Sequence, residues 1–202
     1  MLFQISSDLM VRLIKPVVFL LALIPFVYLL LKVLQNDLGP DPAQTLSIET
    51  GEWSLRFLLL TLTITPLRQM LGLIEIARLR RMIGLFTFFY ATIHLLSWMA
   101  FILGFRWFAI AEELVERPYI TVGFLAYVIL VLLGVTSTNT MIRKLGKNWK
   151  RLHKLIYLAS LLVIIHLLWI LRTDMTEAVI YGALLAILLG YRALRKLKSK
   201  FA

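Results

Sequence analysis

The chain has 202 residues, of which 60% are hydrophobic, and its mean hydropathy of +0.86 is well above that of a soluble domain, which indicates membrane spans. The net charge is +11, but the basic residues lie in short clusters between apolar runs, a pattern that favours a membrane surface over a nucleic-acid-binding face. There is no cysteine, which excludes disulfides, iron–sulfur clusters and thiolate metal sites.

Six apolar runs are each long enough to form a helix across a hydrocarbon core about 30 Å thick. They cover residues 16–34, 55–74, 82–104, 119–136, 154–171 and 177–194. The first run is long for the apolar part of a signal peptide and has no A-x-A motif after it, so it is predicted to be a span, kinked at Pro25. No internal repeat is evident. The sequence therefore predicts an all-α membrane protein, a six-transmembrane-helix bundle that forms one domain over residues 1–202.

The basic residues predict the orientation, because cytoplasmic segments hold an excess of Lys and Arg. Of the 22 basic residues, 17 lie in the amino-terminal segment, the loops that follow the second and fourth spans, and the tail. Most of the acidic residues lie in or beside the opposite loops, and Glu112, Glu113 and Glu116 form one cluster there. Both termini are therefore predicted to be cytoplasmic.

The chain has only three histidines, and two of them lie at the same predicted depth. His94 and His166 are each twelve residues into a span that starts at the cytoplasmic face, or about 18 Å at 1.5 Å per residue. Two imidazoles on different helices can bind a haem iron from opposite faces, and burial favours the neutral form that ligates. The sequence therefore predicts that His94 and His166 are the axial ligands of a haem.

Two other roles for these histidines stay open at this point. A histidine in a span can hydrogen-bond a hydroxyl group, and Thr92 and Ser97 are close to His94 in the sequence. It can also serve a proton or ion pathway, as in a small proton-coupled transporter. The predicted spans lack a buried carboxylate that would alternate with histidine in a proton relay, which disfavours the transporter.

Several segments carry a resemblance to a known family: GPDPAQTLSIETGEW, TLTITPLR, RRMIGLFTFFYATIHLLSW, RPYITVGF, LGVTSTNTMIRKLGKNWKRLHKLIYL and IHLLW. Together they resemble the MsrQ (YedZ) family of ferric-reductase-like membrane proteins. The resemblance implies a bacterial inner-membrane protein that binds b-type haem and flavin mononucleotide (FMN). It also implies electron transfer from the quinone pool or a cytoplasmic flavin reductase to MsrP, a periplasmic molybdopterin enzyme that reduces methionine sulfoxide in proteins.

The third histidine, His153, lies at the predicted cytoplasmic end of the fifth span. Thirteen residues of helix would place it about 20 Å from His166 and on nearly the opposite side, so the two cannot bind one iron. Two-haem members of the wider group carry a second histidine on the third span, where this chain reads RLRRM, so a second haem held by two histidines of this chain is not expected. Ligation of a haem with another residue, a contact with flavin or quinone, and an interfacial position remain open for His153.

The chain has no glycine-rich nucleotide loop, so a flavin phosphate would have to bind to basic side chains. Trp149 or Tyr157 could stack on the flavin ring. The candidate phosphate ligands on the predicted cytoplasmic face are Arg78, Arg80, Arg81, Lys144, Lys147 and Arg151.

The predicted function is electron transfer across the membrane, with no residue assigned to substrate chemistry. The acidic cluster on the outer side, Glu112, Glu113 and Glu116, is predicted to dock the partner protein. Lipid is expected around the spans, and no nucleic acid is expected as a partner. A related b-type ferric or quinone reductase fits the histidines equally well, and the small transporter is the alternative of another class.

Overall fold

A computed structural model describes residues 2–72, 74–171 and 175–201, and every regular element in these ranges is helical. A 3₁₀ turn, Glu75–Arg78, precedes α3, and a π-helical turn, Trp98–Ile102, continues it. The all-α prediction is confirmed. The α-helices of the described ranges are α1 Leu2–Leu34, α2 Pro42–Leu71, α3 Arg80–Ser97, α4 Trp107–Glu116, α5 Pro118–Val135, α6 Asn139–Leu145, α7 Lys147–Leu152, α8 Leu155–Ile170 and α9 Thr176–Phe201.

Five helical segments of the described ranges are long and apolar enough to cross a membrane, and they match five of the six predicted runs. These segments are Arg12–Leu34, Glu75–Ile102, Pro118–Val135, Lys147–Ile170 and Thr176–Lys198. The run 55–74 falls mainly on α2, which is not among them, and Leu73 of that run lies outside the described residues. The chain thus has several candidate spans, whereas the sixth span and the cytoplasmic position of both termini stay predictions.

The surface of the long helices is apolar, as a lipid-facing surface must be. On α1, for example, Leu20, Leu21 and Ile24 each expose more than half of their surface. In water such a continuous apolar face would be costly, whereas lipid chains cover it without penalty. The exposed apolar side chains therefore agree with a membrane location.

The chain divides into two compact units, with the boundary between Phe105 and Arg106. The first unit contains α1, α2 and α3, and α2 packs along α3. The second unit contains α4 to α9, in which α5 packs along α8, while α4 lies against α5 and α9 against α8. The prediction of one domain over residues 1–202 stays a prediction.

Aromatic side chains form the core of the first unit. Phe57 of α2 stacks on Tyr90 of α3, with ring centroids 5.2 Å apart and planes at 11°, and on Phe86 at 5.6 Å. Ala22 of α1 is also buried in this cluster, and Trp53 packs at its edge. Offset aromatic stacking at this spacing stabilises the pairs beyond the area they bury, so the cluster fixes α3 against α2.

Pro25 lacks the N–H group that would bond the Leu21 carbonyl in α1, and the hydroxyl of Tyr90 bonds the backbone of the same turn. The hydroxyl of Tyr90 donates to the Ala22 carbonyl oxygen at 2.8 Å and accepts from the Phe26 amide at 3.1 Å. These two backbone groups are the acceptor and donor of a single helical turn, at the place where the proline ring disturbs the helix. A neighbouring helix thus supplies the hydrogen bonds of the proline site, as membrane helices with internal proline require.

Small and aliphatic residues line the contact between α5 and α8 in the second unit. Ala126 and Ala159 are almost fully buried, which allows the two helix backbones to approach closely. The other buried apolar residues of this pair are Leu130, Leu133, Ile156 and Ile164. The tight pairing of α5 with α8 determines where the side chain of His166 lies.

Candidate functional site

His94 of α3 lies against α2 and is held by a main-chain carbonyl. Its Nδ1 is 2.8 Å from the carbonyl oxygen of Ser47. A carbonyl oxygen only accepts hydrogen bonds, so Nδ1 carries the proton, and in the neutral ring the lone pair is then on Nε2. Gly51 lies one helical turn after Ser47, and a Cβ atom built on it would lie 3.0 Å from Nδ1 of His94. The half-buried imidazole therefore rests directly on the backbone of α2.

His166 of α8 is held in the same way by α5 in the second unit. Its Nδ1 is 2.7 Å from the carbonyl oxygen of Tyr119, so this nitrogen also carries the proton. Gly123 lies one turn after Tyr119, and a Cβ atom on it would lie 2.7 Å from both Nδ1 and Cε1 of the ring. The imidazole of His166 is thus also seated on a glycine, with Nε2 as its lone-pair nitrogen.

The two histidine sites share one sequence spacing. Each histidine follows its carbonyl partner by 47 residues, and each glycine lies four residues after that carbonyl. The whole arrangement recurs after 72 residues, from Ser47, Gly51 and His94 to Tyr119, Gly123 and His166. The sequence analysis found no repeat, because the residues between these positions differ. The signal that could have revealed it is a glycine 43 residues before each of two histidines.

This arrangement is the one that metal-binding histidines require. A ligating imidazole usually donates its other ring N–H to a carbonyl or carboxylate, which fixes the tautomer, orients the ring and raises the basicity of the ligating nitrogen. The hydroxyls considered as partners of His94 donate elsewhere, since Thr92 bonds the Phe88 carbonyl and Ser97 bonds the His94 carbonyl, both at 2.8 Å. His94 and His166, the predicted ligands, therefore each have a carbonyl acceptor for the ring nitrogen that would not bind the metal.

His153 is held differently, at the junction of α7 and α8. Its ring stacks on Trp149 with centroids 4.0 Å apart, and its Nε2 is 3.2 Å from Oγ1 of Thr136. The Thr136 hydroxyl donates to the Leu132 carbonyl at 2.7 Å, so it accepts from His153, whose proton is then on Nε2. His153 thus carries its proton on the nitrogen that is the lone-pair nitrogen in His94 and His166, and ligation through Nε2 would require this contact to break.

The indole of Trp149 completes this junction, because its Nε1 donates to the carbonyl of Thr136 at 2.9 Å. The end of α5 is thereby joined by two side chains to α7 and to the residue that follows it. One face of the Trp149 ring is covered by His153, and Arg192 lies over the ring of Tyr157, 5.7 Å from its centroid. Trp149 and Tyr157, the two rings proposed to stack on a flavin, therefore each have a neighbouring side chain within the second unit.

The chain matches the model of the ferric reductase like transmembrane component family over residues 50–164, which is more than half of its length. It is 46% identical over 165 residues to a protein-methionine-sulfoxide reductase heme-binding subunit MsrQ of Xanthomonas oryzae pv. oryzae (strain MAFF 311018), which covers 82% of this chain and 76% of that protein. The chain belongs to the MsrQ family.

Two further MsrQ proteins show that the similarity is not limited to one group of strains. The protein of Xanthomonas campestris pv. campestris (strain B100) is 48% identical over 165 residues, or 82% of this chain and 76% of that protein. The protein of Polaromonas naphthalenivorans (strain CJ2) is 42% identical over 181 residues, or 88% of this chain and 83% of that protein. Each carries the name heme-binding subunit MsrQ.

Most of the candidate residues of this MsrQ-family chain lie within residues 50–164, the region that matches the ferric-reductase-like family model. His94 and His153 lie in this region, together with Gly51 and Gly123. His166 lies two residues beyond its end.

The basic residues predicted to bind FMN lie in both units of this MsrQ-family chain. In the first unit, Arg78 ends the 3₁₀ turn and Arg80 and Arg81 begin α3, with the Arg80 guanidinium 3.5 Å from Oγ1 of Thr65. In the second unit, the exposed side chains of Lys144, Lys147 and Arg151 lie on α6 and α7, which pack together. The FMN site stays a prediction.

The acidic cluster of the predicted outer face lies on α4. Glu112 and Glu116 are exposed, whereas Glu113 is partly buried and pairs with Arg117 at 3.1 Å. Arg117 partly offsets the charge of Glu113, so Glu112 and Glu116 supply most of the negative potential of the cluster. Two of the three predicted docking carboxylates are therefore presented at the surface.

Proposed function

We propose that this chain is the haem-binding membrane subunit of a protein-methionine-sulfoxide reductase system, and that His94 and His166 supply the axial ligands of a b-type haem. The main support is that both histidines are held in the same way. Each imidazole donates Nδ1–H to a helix carbonyl and carries its lone pair on Nε2. The names of the MsrQ relatives give independent support.

The donor set fits a b-type haem. Two neutral imidazoles are the ligands of a low-spin iron, and a chain without cysteine offers no thiolate in their place. A haem bound there supplies a one-electron redox couple. The chain would hold each ring in a fixed tautomer against the backbone of a neighbouring helix, and the two Nδ1–H hydrogen bonds would tune the potential of the haem.

The proposed path of electrons runs across the bacterial inner membrane, with both termini on the cytoplasmic side. Electrons come from the quinone pool or from a cytoplasmic flavin reductase and pass to MsrP, a periplasmic molybdopterin reductase that acts on oxidised methionine in proteins. The chain itself carries electrons and does not reduce the sulfoxide. The positive-inside distribution of Lys and Arg supports this orientation.

The spectrum of the detergent-purified, haem-reconstituted protein tests the proposal. We expect a low-spin b-type spectrum in the oxidised protein, with the sharpened bands of a ferrous bis-imidazole haem after dithionite. A folded protein that takes up no haem would reject the proposal and favour the proton-coupled transporter. The family match also allows a related ferric or quinone reductase. Reoxidation of the reduced haem by MsrP, compared with ferric chelates and quinones, separates these functions.

FMN is proposed to bind through its phosphate to basic side chains that include Arg78, Arg80 and Arg81 of the first unit. The double substitution Arg80→Gln with Arg81→Gln is expected to lower the FMN content several-fold while haem is retained, because bidentate guanidinium contacts to phosphate are lost. Flavin fluorescence after denaturation measures the content. Arg12→Gln with Lys15→Gln is the matched control, which removes two charges from α1. Equal FMN content in both double variants would reject this placement.

The acidic face of α4 is proposed to dock MsrP. Changing Glu112, Glu113 and Glu116 together to Gln is expected to slow reoxidation of the haem by MsrP and to weaken its dependence on ionic strength, because charge steering acts mainly on the association rate. Stopped-flow spectroscopy at several salt concentrations measures both. Glu75→Gln, on the predicted cytoplasmic side, is the control. An unchanged rate and salt dependence in the triple variant would contradict the docking proposal.

A further inference from the structure

Two helical glycines, Gly51 of α2 and Gly123 of α5, occupy positions where the backbone does not require glycine. Both lie inside regular helices rather than in the left-handed conformation that Gly72 adopts at the end of α2. Glycine inside a helix lowers stability relative to alanine, because it loses more conformational entropy on folding. The reason for these two glycines must therefore lie in their surroundings.

The surroundings differ from those of other helical glycines. A Cβ atom on Gly123 would lie 2.7 Å from Nδ1 and Cε1 of His166, and one on Gly51 would lie 3.0 Å from Nδ1 and 3.2 Å from Cε1 of His94. By contrast, a Cβ atom on Gly84 or Gly182 would find its nearest neighbour at 3.6 or 3.7 Å, an ordinary contact. A methyl group at position 123 thus has no room while the His166 ring keeps its position, and one at position 51 has very little.

Each glycine also exposes the carbonyl that holds the ring. In an α-helix the Cα–Cβ bond tilts toward the amino terminus, so the side chain of residue i+4 lies over the carbonyl of residue i. Gly51 stands in this relation to Ser47, and Gly123 to Tyr119. Without a side chain there, the second lone pair of each carbonyl is accessible to the imidazole N–H. The absence of a side chain at each glycine therefore allows the imidazole to form its hydrogen bond to the carbonyl.

We infer that Gly51 and Gly123 are positioning residues for the two haem-ligating imidazoles, an inference that rests on the proposed function. Each glycine lets its histidine ring lie against the helix backbone with Nδ1–H on the carbonyl of the preceding turn. The ring plane and the strength of Nε2 as a ligand are thereby set by the neighbouring helix rather than by the helix that carries the histidine. Position 123, with the shorter distance, tolerates an added carbon less than position 51.

Alanine at these positions tests the inference in the full-length, haem-reconstituted protein. The variants are Gly123→Ala and Gly51→Ala, with Gly182→Ala and Gly84→Ala as matched helical controls from the same two units. The readouts are the electron paramagnetic resonance spectrum of the oxidised haem and its midpoint potential. Folding is followed separately by circular dichroism and gel filtration. A purely structural role would leave the g-values and the potential of the retained haem unchanged.

We expect Gly123→Ala to lose the wild-type low-spin signal, either to a high-spin species or to a signal with shifted g-values. Gly51→Ala is expected to retain haem with a smaller shift in g-values and potential, and both controls are expected to match the wild type. If Gly123→Ala does not fold, Gly51→Ala decides, because its ring has to move by only a few tenths of an ångström. Alanine variants that match their controls in both readouts overturn the inference. A wild-type protein without haem would instead reject the proposed function, and the inference with it.

Discussion

Alanine in place of His94 or His166 is expected to abolish the bis-imidazole haem spectrum. Either substitution removes one of two axial ligands, so the iron is left high-spin with one imidazole or the haem is lost. His153→Ala is the matched control and is expected to keep the low-spin spectrum, because the Nε2 of His153 is engaged by Thr136. Optical spectra of the oxidised and reduced proteins, with haem content from a pyridine haemochrome assay, measure the effect.

Exogenous imidazole extends this prediction. His94→Gly and His166→Gly leave a space beside α2 and α5 in which a free imidazole can donate its N–H to the carbonyl of Ser47 or Tyr119. Added imidazole is therefore expected to restore the low-spin spectrum of both glycine variants. The assignment of ligands would be wrong if His153→Ala removed the low-spin haem while His94→Ala or His166→Ala preserved it.

The sequence was sufficient to propose His94 and His166 as a pair of ligands, because the depth of a residue in a span follows from its distance to the charged end of an apolar run. It also predicted five of the helices, since long apolar runs leave little choice of structure. The ends of α5 and α8 agree with the predicted runs to within one residue, whereas α1 begins 14 residues before its run and α9 ends seven residues after its run. The run 55–74 has no matching candidate span among the described residues, for a physical reason. α2 mixes apolar residues with threonines and with Glu49, Glu52, Arg56 and Arg68, which lower its hydropathy.

The supporting residues of the site could not be predicted in the same way. Ser47 and Tyr119 act through main-chain carbonyls, which every residue has, so their side chains carry no signal of the role. Gly51 and Gly123 are recognised only when the ring that fills their space is known. The contact of Thr136 with His153 exists only because the end of α5 packs beside the junction of α7 and α8. Such contacts depend on packing between helices, which a hydrophobic pattern does not specify.

Tyr90 illustrates the same limit and carries the second large prediction. Pro25 was predictable as a disturbance of α1, but the residue whose hydroxyl bonds the backbone beside it lies 65 positions later, on α3. Tyr90→Phe is expected to lower the free energy of unfolding by about 1–3 kcal/mol, because the Ala22 carbonyl and the Phe26 amide lose a shared partner where water is scarce. Unfolding in mixed micelles at increasing denaturing detergent measures the loss. Tyr28→Phe, at an exposed tyrosine of α1, is the control.

A double-mutant cycle with Pro25→Ala shows whether the hydroxyl serves the proline site. Alanine at position 25 removes the steric clash of the proline ring and returns a donor to the Leu21 carbonyl, so the backbone of this turn is expected to depend less on the Tyr90 hydroxyl. Tyr90→Phe should then cost much less in the Pro25→Ala protein than in the wild type. Equal costs in both backgrounds would mean that the stacking of Tyr90 on Phe57, rather than its hydroxyl, accounts for its burial. Since Tyr90 lies one helical turn before His94, a reduced cost would also show that α1 helps to fix the part of α3 that carries the proposed haem ligand.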